Sequence, residues 1–286
     1  MKRLSIAALF VLLIATIAPR ADAAEGAAGC GTGLLEGKRI TVEVEGDGPD
    51  VVLIPGLSSP RAVWAPTAER LKATHRLHLV EVRGFGGDAP GPNTDGPILE
   101  PMMREIADYI DDCIVDQGRP APAVIGHSLG GLTAVDSLPF FGMLFGPTAT
   151  VASVEPQAAA MQTMLAARDS AEADDRTLQM MSATDAGRAQ VKAWTRAANA
   201  KVAAQLMYDD MTTDLRPELS AIAAPFTMLY PLDASAMPEA MVDSLYKGAF
   251  TTAKTVTLKR IDGSRHFIML DQPEAFADAV DEFLAN

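Results

Sequence analysis

The chain has 286 residues, 48% of them hydrophobic, enough to close a sizeable core without staples. It carries 37 acidic against 24 basic residues, a net charge of −13, which excludes a general nucleic-acid binder because such a protein needs a basic face to neutralise phosphates. An aromatic fraction of 6% with 22 Gly and 19 Pro points to a compact α/β chain, and two cysteines exclude a disulfide-dense scaffold or a cysteine-only metal site.

Lys2 and Arg3 precede the apolar run Leu4–Ala18, and Ala21-Asp22-Ala23 supplies small residues for cleavage. This pattern predicts an export signal over 1–23, too short to span a membrane, and a periplasmic or extracellular product without a stable membrane span. Residues 24–36, rich in Gly and Ala, read as a flexible lead-in. Cys113 falls in a helical pattern and reads as a small buried residue. A Cys30–Cys113 bridge is the alternative that an oxidising compartment allows.

The core begins at about residue 37. Arg39–Glu45 alternates polar and apolar residues like a half-exposed strand, and Val51–Ile54 is a short buried one ending in Pro55-Gly56. Ala62–Ala73 reads as a helix, His78–Val82 as a strand and Ile98–Val115 as a helix with Met102, Ile106, Ile110 and Cys113 on one stripe. Ala123–Ile125 is a further short strand. Strands alternating with helices imply crossover units and a largely parallel sheet.

From 139 to 223 the alternation stops. Ala158–Ala167, Ala171–Met181 and Ala186–Met211 are rich in helix formers and read as a helical cap inserted in the sheet domain. The α/β pattern resumes over 224–286, with strands at Pro225–Tyr230 and Lys254–Arg260 and helices at Pro238–Phe250 and Pro273–Leu284. The core therefore divides into 37–138 and 224–286 around the cap.

Gly126-His127-Ser128-Leu129-Gly130 matches G-x-S-x-G between a strand and a helical stretch. That context is a nucleophile elbow, in which serine sits on a sharp turn and glycines permit close backbone approach. A serine hydroxyl needs a base, and His266, in the loop after the strand Lys254–Arg260, is the candidate. His75 and His78 read as structural, and the side chain of His127 diverges from Oγ at an elbow. Asp233, after the strand Pro225–Tyr230, is the candidate to orient the base, with Asp136 as its rival. Asp262 and Asp271 lie near the histidine in sequence and are weaker choices. The N–H of Leu129 and that of Leu57, with Ser58 next, are the candidate oxyanion donors.

Together these features resemble the α/β-hydrolase superfamily from about Arg39 to Leu284. The resemblance implies a mostly parallel sheet flanked by helices, with an inserted cap. It implies Ser128 as nucleophile, Asp233 as acid, His266 as base, and Leu57 and Leu129 as oxyanion donors. Val82–Gly87 is similar to the family's arginine- and glycine-containing loop, while Pro55-Gly56 stands where the family has His-Gly.

One departure stands out. The family has a full helix and another strand between elbow and cap, and a parallel crossover needs about a dozen residues or more. Only Leu129–Ala134 separates Ser128 from Val135–Phe140. Either Leu129–Leu138 forms one helix and the sheet loses a strand, or the segment is a shortened variant.

Most of the 14 methionines lie in or beside the cap. Met161 and Met164, with Phe140, Phe141 and Ser58, are the candidate pocket residues for an apolar acyl group, although packing between cap helices explains each methionine equally well. No residue cluster calls for a metal, and no dinucleotide fingerprint is present, so no cofactor is expected. The expected function is a serine hydrolase cleaving a small or medium apolar ester through an acyl-enzyme. The alternatives are an amidase or aminopeptidase, with Glu172, Asp174 and Asp175 available to hold an amino terminus, a cofactor-free haloperoxidase-like activity, and a non-catalytic binding protein.

Overall fold

A computed structural model describes residues 30–134, 138–146 and 148–285. The predicted export signal, residues 24–29 of the lead-in and Asp136 lie outside them.

Strands β1 (Gly33–Glu36), β2 (Ile40–Gly46) and β3 (Asp50–Ile54) open the fold. Helix α1 (Ala65–Leu71), strand β4 (Arg76–Val82), helix α2 (Leu99–Ile110), strand β5 (Ala123–Gly126) and helix α3 (Leu129–Ala134) follow. The cap holds α4 (Val151–Ala166), α5 (Asp175–Met181), α6 (Asp185–Ala197) and α7 (Ala200–Thr212). Strand β6 (Phe226–Leu232), helix α8 (Glu239–Ala249), strand β7 (Val256–Asp262), helix α9 (Ile268–Asp271) and helix α10 (Pro273–Leu284) complete the chain.

Five strands form a sheet in the order β1-β2-β4-β3-β5. The β4-β3 and β3-β5 pairs are parallel, and the two pairs made by β2 are antiparallel. β6 and β7 form a separate parallel pair. Among the described residues no strand joins β5 to β6. The short interval after the elbow holds about one and a half turns of helix, α3, and among the described residues the sheet is divided between β5 and β6. Every residue of β3 is buried, as expected for a strand covered on both faces.

Side chains bridge the gap that hydrogen bonds leave. Val51 and Leu53 of β3 share a core cluster with Trp64 and Leu71 on the α1 side. Ile261, Phe267, Phe276 and Val280 from the second part join the same cluster, as do Leu178 and Val191 of the cap. Each such side chain contributes roughly 1.5–3 kcal/mol on full burial.

Three expectations need correction. Gly33–Glu36 is not lead-in but an edge strand paired with β2. Cys113 is buried, yet it is bonded to Cys30, closing a loop with a sequence separation of 83. The cap helices also start and stop elsewhere. Thr150 and Ser153 form a reciprocal capping box that starts α4 at Val151, and Asn199 accepts from Lys201 and Val202 to begin α7, breaking the long helix predicted over 186–211. Asp174 and Thr184 cap α5 and α6 in the same way, so Ala171 lies before the helix predicted to include it.

Candidate active site

The elbow is built by close backbone contacts. β5 ends at Gly126, and Ser128 turns the chain into α3 with φ of 55°. A Cβ on Gly126 would stand 2.2 Å from the carbonyl oxygen of Gly130, and one on Gly130 would stand 2.2 Å from that of Ile54. Both glycines are therefore required by space, since a side chain at either would collide with backbone. Leu129 is the first residue of α3, so its N–H has no partner within the helix.

The loop after β3 lies directly against this turn. A Cβ on Gly56 would stand 3.0 Å from Cβ of Ser128 and 2.8 Å from Nδ1 of His127. Leu57 follows, and Ser58 has φ of 58°. Ser58 and Ser128 are the non-glycine residues with positive φ among the described residues, one on each side of the same contact. Backbone strain of this kind costs about 1–3 kcal/mol and collects where geometry is imposed by function.

His266 is brought to the elbow by its own main chain. Nε2–H of His127 donates to the carbonyl oxygen of His266 at 3.1 Å, and the two imidazole centroids are 4.8 Å apart. The carbonyl can only accept, which fixes the neutral tautomer of His127 and leaves its buried Nδ1 without a partner. Burial, with the neighbouring His266, pushes the His127 imidazole down to about 3. His266 itself is partly buried, and burial pushes it down to about 4. A neutral imidazole at ordinary pH is the form a general base requires.

Asp233 follows β6 directly. Gly263 N–H and Ser264 N–H both reach the carbonyl of Leu232, tying the Asp233 and His266 loops together. Its carboxylate accepts from Ser235 through backbone and side chain at 2.9 and 2.6 Å, and from Nε of Arg265 at 2.8 Å. Ser235 and then Arg265 hold it below the usual carboxylate range. Among the described residues no hydrogen bond joins Ser128, His266 and Asp233 to one another. The structure collects the three segments but leaves the carboxylate on Arg265, a residue the motif reading passed over.

The pocket candidates divide. Phe140 is fully buried in the cap with Val154, Ala158 and Met211, stacked under the Arg216 guanidinium at 4.6 Å, and Phe141 and Met161 pack around that cluster. Phe140 is therefore core. Met164 is 65% exposed on α4. Asp174 caps α5, while Glu172 pairs with Lys192 and Arg196 and Asp175 with Lys192, so these three acids are already engaged. His78 is buried against Asp50 and Tyr109.

Two acids escaped the sequence reading as important. Asp271 is buried and accepts from Ser182, Ala183 and the N–H of Arg265. Asp210 on α7 is buried beside Asp209, and burial first, then that neighbour, raises its carboxyl to about 7. Asp209 instead accepts from the N–H groups of Ile98 and Leu99 at the start of α2. Sequence shows only two adjacent acids and no sign of which is satisfied.

A strand, a strained serine turn and a helix, faced by a second turn from the neighbouring strand, define an α/β-hydrolase scaffold. Residues 51–279 match the model of the alpha/beta hydrolase family, and the chain belongs to that family. A thermophilic esterase from Thermogutta terrifontis superimposes with a TM-score of 0.66 at 18% identity, over 86% of this chain and 93% of the other. The enol-lactonase from Burkholderia xenovorans LB400 does so with 0.63 at 17% identity, over 86% and 96%. At these identities the likeness is one of fold.

Among curated proteins, the pimeloyl-(acyl-carrier protein) methyl ester esterase of Vibrio campbellii is 39% identical over 90 residues, 31% of each chain. That of Aliivibrio salmonicida is 33% identical over 95 residues, 33% of this chain and 32% of the other. The chain thus spans about a third of the length of the curated relatives it matches.

Proposed function

We propose that the protein is a serine-dependent carboxylesterase acting on small or medium apolar esters. The observation that carries this reading is the left-handed turn at Ser128 packed against the strained Gly56–Ser58 loop, with the backbone of His266 bonded to the adjacent His127. Ester cleavage in the matched relatives' names supports the bond type.

In this reading Ser128 Oγ attacks the ester carbonyl carbon as His266 takes its proton. The N–H groups of Leu57 and Leu129 stabilise the oxyanion. The tetrahedral species expels the alcohol, which leaves with the proton from the imidazolium. Water then gives a proton to His266 and attacks the acyl-enzyme, releasing the acid and restoring Ser128. Asp233 supports the imidazolium once its carboxylate turns from Arg265 toward Nδ1. Glu172, Asp174 and Asp175 already have a surface ion pair or a helix-cap bond, which weighs against the aminopeptidase alternative.

Export belongs to the same proposal. The 1–23 pattern implies it, and the Cys30–Cys113 disulfide suits an oxidising compartment.

The test is kcat/KM on matched esters and amides of varied acyl length, for wild type and Ser128→Ala. Wild type should prefer short or medium esters, and the variant should lose roughly 10⁶-fold in kcat. Preference for amides would overturn the esterase assignment. Equal activity in wild type and variant would overturn the site, and complete inactivity in both would leave the non-catalytic reading standing.

A further inference from the structure

The loop that carries His266 is anchored in the hydrolase core and, on both sides of the histidine, in the cap as well. Phe267 N–H donates to the carbonyl of Met181 at 2.9 Å, at the last turn of the cap helix α5. One residue before His266, Arg265 N–H donates to Oδ2 of Asp271 at 2.8 Å. The same carboxylate accepts from the N–H of Ala183 at 3.1 and 3.0 Å and from Ser182 Oγ at 2.5 Å. Arg265 also reaches the carbonyl of Gln179 with its guanidinium. Both neighbours of His266 are thus held by residues 179–183 of the cap, directly or through Asp271.

Charge and burial make this mount specific. Ser182 is 0% exposed and Asp271 8%. A buried carboxylate is costly unless its oxygens are satisfied, and here two N–H groups and one hydroxyl satisfy it from two separate parts of the chain. Among the described residues no strand bond connects β6 and β7 to the five-stranded sheet. The side of the site that holds the base therefore depends on this junction more than a continuous sheet would require.

We propose that Asp271, clamped to Ser182 and Ala183, is a positioning residue that makes the end of cap helix α5 part of the mount of the base. The inference rests on His266 acting as that base. Cap and imidazole are coupled: a substrate that displaces α5 shifts the reach of His266 toward Ser128, and one that leaves the clamp closed keeps it set. Asp271 touches no reacting atom in this account.

The experiment compares wild type, Asp271→Asn and Ser182→Ala as folded full chains. Asparagine keeps one acceptor oxygen but turns an NH₂ toward the N–H groups of Arg265 or Ala183. Asp271→Asn should lower kcat about 10- to 100-fold, with KM changed less than about threefold, and move the acid limb of the kcat/KM profile. Ser182→Ala should show the same pattern at about three- to tenfold.

Histidine-selective ¹⁵N labelling gives a readout independent of turnover, since the chain has 4 His. The His266 imidazole signals should shift in both variants while those of His75 and His78 stay fixed. A folded Asp271→Asn enzyme with wild-type kcat overturns the proposal, and if that variant does not fold, Ser182→Ala decides by the same measure. If wild type neither turns over esters nor reacts at Ser128, the esterase reading fails by itself. The clamp is then judged on the His266 signals, and unshifted signals overturn it.

Discussion

The two parts of the core, β1 to β5 and β6 to β7, hold their functional residues by different means. In the first, Ser128 and the Gly56–Ser58 loop are fixed by backbone packed on backbone inside a five-stranded sheet, with glycines where no Cβ fits. In the second, Asp233 and His266 sit on loops beyond a two-stranded pair, where side-chain contacts, Arg265 on Asp233 and Asp271 on Arg265 and the cap, add to the backbone bonds of Gly263, Ser264 and Phe267. The half that carries Ser128 is fixed by backbone packing that leaves no room for a Cβ. The half that carries His266 is held in part by side-chain contacts, which single substitutions can remove.

Matched glycine substitutions sharpen this contrast. Gly130→Ala would drive a Cβ into the backbone oxygens of Ile54 and Pro55 at 2.2 and 2.6 Å, and neither can withdraw. We expect loss of more than about 4 kcal/mol in denaturant unfolding, or no folded protein. Gly263→Ala, beside the base loop, meets only the end of the Gln272 side chain at 2.9 Å, so its cost is that of φ at 72°, about 1–2 kcal/mol. Similar losses for both would dissolve the distinction.

The disulfide falls between these in size. It ties the chain before β1 to the end of the α2 segment, so replacing both cysteines by serine should cost about 2–5 kcal/mol by denaturant unfolding. Labelling by a phosphonate at Ser128 in the still-folded variant should be unchanged, because the bridge lies on the first part and outside the junction with the cap. Loss of labelling there would show that the two parts are less separable than their bonding implies.

A pH-dependent effect tests the cap. Asp210 has a carboxyl raised from an ordinary 3.8 to about 7, so the folded state binds a proton that the unfolded state releases. Stability from this group is full below about 4 and is lost as pH rises toward 7, at up to roughly 1.4 kcal/mol per pH unit. Asp210→Asn lacks this loss. Its stability relative to wild type should rise between pH 4 and 7, in thermal melts at each pH, and a flat difference would refute the burial argument.

Much of this organisation is legible in the sequence alone. The strand-turn-helix context of Gly126–Gly130 marked the elbow because its glycines answer a local steric demand. The short interval after Ser128 marked the division of the sheet because crossover length is a chain property. Helix starts at Val151 and Ala200 were misplaced because Thr150 and Asn199 act through specific cap bonds that periodicity does not contain. Strand β1 was hidden in a Gly-rich stretch, since an edge strand of four residues carries little pattern. The Arg265–Asp233 and Asp271–Ser182 contacts join residues 32 and 89 apart, and only the packed chain brings them together.

The central claim is that a serine on the first part and an imidazole on the second work as one couple. The most direct measurement is the rate at which a phosphonate ester modifies Ser128, followed by peptide mass spectrometry across pH, in wild type and His266→Ala. The account predicts modification of Ser128 in wild type, slowing as pH falls through the titration of one imidazole. That titration lies near 4 if Asp233 stays on Arg265, and higher if the carboxylate turns to the ring. His266→Ala should react at least about 10³-fold more slowly at every pH above that limb. Modification of Ser128 at an equal rate in the two proteins would contradict the account.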